Sequence, residues 1–61
     1  MTNLSEKELS LINDSLSEEE LLVKKYQMLA SQTKDAEMSS KFEQNSQKHQ
    51  GHFRSLYSLL G

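Results

Sequence analysis

Apolar residues along the chain recur at intervals of three and four, the period of a helix packed on one side. At about 100° per residue, Leu16, Glu19, Leu22, Val23, Tyr26, Leu29, Ala30 and Thr33 share one arc. A second arc collects Met38, Phe42, Asn45, Ser46, His49, His52, Phe53, Leu56 and Leu60, while Lys41, Glu43, Gln47, Lys48 and Arg54 fall at its edge or beyond. Each arc carries ionisable groups among its apolar ones: Glu19 near the middle of the first, His49 at the centre of the second between Phe42, Phe53 and Leu56.

Capping signals set the boundaries. Ser17 with Glu20 makes an S-x-x-E capping box, in which hydroxyl and carboxylate satisfy each other's orphan amides, so a helix is predicted over about 18–33. Asp35 caps the next, predicted over about 36–60. Glu20 to Lys24 and Glu37 to Lys41 are favourably oriented i,i+4 pairs. Upstream, Ser5 to Glu8 is a second capping box, predicting a short leading helix over about 5–14 that breaks at Asn13-Asp14-Ser15. One unbroken helix over 5–33 stays open as an alternative, because neither Pro nor Gly enforces the break. The fold class expected is all-α: an antiparallel helical hairpin, with a link too short for a parallel neighbour, plus the short N-terminal helix. The second long helix would span ~37 Å and the first ~24 Å. Leu56, Leu59 and Leu60 then overhang, with Leu4, Leu9, Leu11 and Ile12 available to cover them.

A turn near residue 35 puts positions whose numbers sum to roughly 70 at the same height. Glu19 is then level with His49 and His52. In an apolar layer an unpaired charge costs several kcal/mol, so the three should pair with one another, with a ligand or with another chain. One reading is a set of satisfied histidines hydrogen-bonded to Glu19 or to Asn45 and Ser46. The other is a mononuclear site for zinc, iron or manganese, two imidazoles and a carboxylate being a precedented ligand set. Leu21 and Met28, one heptad apart on the opposite side of the first long helix, cannot be buried by two helices alone and are left to another subunit, the leading helix or water. With Leu11, Ile12, Leu56, Leu59 and Leu60 they are the candidate self-association residues, a homodimer being the simplest assembly.

Composition narrows the function classes. The 61 residues make one domain, and a core this small rarely yields more than ~3–5 kcal/mol without a staple. No cysteine is present, which excludes disulfides, thiolate metal sites and thiol catalysis. A net charge of −2 from seven basic and nine acidic residues leaves no basic stripe for nucleic acid. No apolar run approaches the ~18 residues of a membrane span, and the start carries no signal-peptide pattern, so a cytoplasmic location is expected. No serine is placed against a histidine and an orienting group, so the chain is not expected to be an enzyme. Tyr26 and Tyr57 read as core-edge residues with hydroxyls in water.

The strings Leu4-Ser5-Glu6-Lys7-Glu8-Leu9, Leu21-Leu22-Val23-Lys24-Lys25-Tyr26 and Lys48-His49-Gln50-Gly51-His52-Phe53 resemble the small spore-coat-like proteins of the coat protein F family of endospore-forming bacteria. The resemblance implies a reduced ferritin-like fold in which two hairpins complete a four-helix bundle by homodimerisation. It also implies a structural role in sporulation, a place in the spore coat and other coat-type proteins as partners. Carried over by position, Glu19 resembles the helix glutamate of ferritin-like metal proteins, and His49 with His52 resembles their Glu-x-x-His. Here His49 stands where a metal-bridging carboxylate would be, which puts di-iron chemistry in doubt.

Overall fold

Two helices make up the fold in the computed structural model, which describes residues 4–61: α1 over Glu6–Gln32 and α2 over Ala36–Ser58. Among the described residues there is no strand. The first capping box opens α1. The Ser5 hydroxyl accepts from the Glu8 N–H at 3.1 Å, and the Ser5 N–H donates to Glu8 Oε1 at 3.1 Å. That N–H first, and the Ser5 hydroxyl second, hold the Glu8 carboxyl below its ordinary value. Thr33 ends α1, its N–H donating to the Leu29 carbonyl, and its hydroxyl accepts from the Asp35 N–H at 3.2 Å. Asp35 opens α2, its Oδ1 accepting from the Glu37 and Met38 N–H groups at 2.9 and 3.1 Å. Only residues 33–35 separate the helices, so α2 folds back antiparallel on α1.

The predicted break at residues 13–15 is absent, and the short helix over 5–14 and the helix over 18–33 are one. Ser17 and Glu20 lie inside α1 and form no cap. Asn, Asp and Ser each lose only about 0.5 kcal/mol against a good helix former. A break would expose several backbone groups, each hydrogen bond contributing about 1 kcal/mol net. Continuity also removes the length mismatch, since at 27 and 23 residues the helices are nearly equal and no separate cover is needed. Ile12 then lies level with Leu56 and Leu9 with Leu60. α2 ends at Ser58, short of the expected 60, with Leu59 and Leu60 in a closing turn.

Cross-helix contacts fix the register. The Ser39 hydroxyl donates to the Ala30 carbonyl at 2.8 Å, and the Ser46 hydroxyl donates to the Val23 carbonyl at 3.5 Å. The Tyr26 and Phe42 rings stack at 6.2 Å. In all these pairs, and in that of Glu19 with His49, the residue numbers sum to 68 or 69. Small side chains at Ala30, Ser39 and Ser46 let the two backbones approach. The core is thin: among the described residues Leu16 is the one buried apolar side chain and Ser46 the one buried polar one. Met38 and Asn45, placed on the inward arc by periodicity, are exposed.

Gly51 sits inside α2, and a methyl group there would meet nothing within 4 Å. Gly51→Ala is expected to stabilise the hairpin by about 1 kcal/mol through backbone entropy, raising the Tm by about 5 °C. A thermal melt followed by circular dichroism checks this; an unchanged or lower Tm would contradict it.

The hairpin has two unlike flanks. One is polar, a shallow groove lined by Gln27, Ser31, Glu43, Gln47 and Gln50 over Ala30 and Ser46. The other is richer in apolar groups: by helical phase it carries Leu11, Leu22 and Leu29 from α1 and Leu56 and Leu59 from α2. At its end Leu4, Glu8, Leu11, Ile12 and Leu59 line an open cleft of about 340 Å³. Leu11 is 59% exposed and Leu59 48%, while Ile12, Leu56 and Leu60 are half-buried. Leu21 and Met28 lie on the back of α1, facing away from α2, at 67% and 52% exposure. No helix among the described residues is long and apolar enough to cross a membrane.

Candidate metal-binding cluster

Glu19 reaches the cluster from α1, one heptad before Tyr26 and therefore on nearly the same face. His49 and His52 reach it from α2, three residues apart, a spacing that sets neighbouring side chains on one side of a helix. Helix phase and the 33–35 link together bring the groups to one height. Glu19 Oε2 lies 2.8 Å from His49 Nδ1 and 3.5 Å from His52 Nδ1. One ligand atom from each of the three residues fits within 4.8 Å of the others, so the group could hold a metal ion.

The three differ in their surroundings. The Glu19 and His49 side chains are 17% and 21% exposed, sheltered by both helices, whereas the His52 side chain is 50% exposed. His52 thus stands at the mouth of the cluster on the apolar flank, where periodicity alone placed it inward. Tyr26 stacks on His49 with ring centroids 5.7 Å apart and planes 2° from parallel, and the Phe42 ring lies beyond Tyr26. His52 meets His49 edge-on at 5.4 Å. The His49 ring is therefore fixed by a carboxylate at Nδ1 and an aromatic face, while His52 has room to turn.

The sequence-based alternatives resolve in part. His49 pairs with Glu19 and not with Asn45, which is exposed, or Ser46, whose hydroxyl bonds Val23. The role of Tyr26 as the platform under His49 went unread in the sequence, although its heptad relation to Glu19 carries the signal. Among the described residues, no buried side-chain nitrogen or oxygen lacks a hydrogen-bond partner.

Chemically the cluster offers one shared carboxylate oxygen and two imidazole nitrogens, an arrangement that can transfer a proton between imidazole and carboxylate or ligate a cation. Among the described residues, no serine hydroxyl or backbone amide is hydrogen-bonded to the Glu19, His49 or His52 side chains. Comparisons with protein-family models, with curated proteins and with solved structures find no match for this chain.

Proposed function

We propose that the chain is a structural, self-associating helical module, working as a building block of a larger protein assembly rather than as a catalyst. The observation that carries this reading is how little two helices bury. The chain exposes 4865 Å², against about 4,000 Å² for a compact monomer of its mass. Its radius of gyration is 14.3 Å, against about 10.5 Å for a compact chain of its length. A rod with one buried leucine and a flank of partly covered Leu and Ile side chains is most simply one part of a bundle.

Pairing through the apolar flank would cover Leu11, Leu22, Leu29, Leu56 and Leu59 together and complete a four-helix arrangement. Leu21 and Met28, on the back of α1, would remain for contact with further copies, as a layer requires. The resemblance to coat protein F fits this architecture, and a spore-coat role with other coat-type partners is the biological form we propose for it.

Sedimentation velocity over a wide range of protein concentration, paired with thermal melts, tests the reading. Assembly predicts a mass of at least two chains and a Tm that rises with concentration. A folded single chain at every concentration, with a constant Tm, would refute it.

A further inference from the structure

We propose that Glu19, His49 and His52 form a mononuclear site for a zinc-class divalent cation, one per chain, stapling α1 to α2. Zinc with three protein ligands and an exchangeable fourth position commonly uses two imidazoles and one carboxylate. Donors about 2.0–2.1 Å from a tetrahedral ion stand about 3.3 Å from one another. Glu19 Oε2 and His52 Nδ1, at 3.5 Å, are already at that separation, and Glu19 Oε2 and His49 Nδ1, at 2.8 Å, need to part by only about half an ångström. The remaining adjustment falls to His52, whose half-exposed ring is free to turn.

Three features separate this cluster from a surface coincidence. The ligands come from both helices, so binding ties together a hairpin that has almost no core. Tyr26 stacks on the His49 ring and restricts its rotation, so less freedom is lost when an ion displaces the proton shared by Glu19 and His49. The ligand chemistry is mixed nitrogen and oxygen with no sulfur, which suits zinc and the neighbouring divalent ions. With His52 at the mouth, the fourth position faces the open flank, where a water completes the coordination.

The test uses chelator-treated protein reloaded with zinc and desalted. One equivalent of zinc per chain should be retained by elemental analysis, and free zinc about 100-fold above its Kd should raise the Tm by roughly 14 °C. Cobalt(II) should give the intense visible bands of four-coordination, and manganese(II) should bind more weakly than zinc. His52→Gln, altering an exposed residue, should leave the metal-free Tm nearly unchanged and weaken zinc binding by at least roughly 100-fold. Glu19→Gln should weaken it likewise. The site is disproved if the native protein retains no zinc, if His52→Gln binds it as tightly as the native chain, or if manganese matches zinc.

Discussion

Leu16→Ala is expected to leave the isolated hairpin largely unfolded. Leu16 is the one buried apolar side chain among the described residues, at 9% exposure, and it lies level with Phe53. Truncating a buried leucine costs about 2–5 kcal/mol, from lost transfer energy and from the cavity left behind. A core of this size rarely yields more than ~3–5 kcal/mol in total. The loss therefore matches the whole stability of the folded chain, and far-ultraviolet circular dichroism of dilute protein should show most of the helical signal gone. If the protein assembles as proposed, higher concentration should recover part of that signal by mass action. Should urea melts place the variant within about 1 kcal/mol of the native chain, the helices are held together by something other than contact at Leu16.

The second large effect concerns residues that, in a lone hairpin, touch little. Leu11 and Leu59 are 59% and 48% exposed and stand together at the end of the apolar flank. Replacing both by glutamine keeps helix propensity at Leu11 and adds no charge. On a monomer, changes at such exposed sites amount to about 0.5 kcal/mol or less. Each leucine is already about half covered, so an interface adds about half of the roughly 1.5–3 kcal/mol of full leucine burial, and a symmetric dimer counts each twice. The double variant should then raise the dimer dissociation constant by at least roughly 100-fold. Sedimentation equilibrium reads this directly. A native-like association constant would show that the flank is not the interface, leaving Leu21 and Met28 on the back of α1 as the surface to test next.

The two effects share a cause. With little buried in the hairpin itself, stability depends on one internal contact and on whatever covers the open flank. A cation between α1 and α2 would add a third support, close to the middle of both helices. These supports are separable by experiment: Leu16 acts within the chain, Leu11 and Leu59 between chains, and His52 only when metal is present.

Much of this arrangement was legible in the sequence because it follows from short-range rules. The Asp35 cap and the short link dictate antiparallel helices, and the link's position sets the register to within about one residue. Helical phase then places Glu19 and His49 on facing sides at one height, so their convergence could be read before any coordinates, whereas the choice of Glu19 over Asn45 and Ser46 as the partner of His49 could not. What only the tertiary structure decided were choices between local signals of similar strength. The Ser5 and Ser17 boxes are equally good caps, each contributing about 1 kcal/mol, and packing along the whole of α2 selects Ser5 by keeping α1 continuous past Ile12 and Leu16. Periodicity likewise could not rank positions near the edge of an arc. His52 and Asn45 differ little in phase from His49 and Phe42, yet a two-helix contact is narrow, and only the axis of approach determines which side chains fall within it and which stand in water.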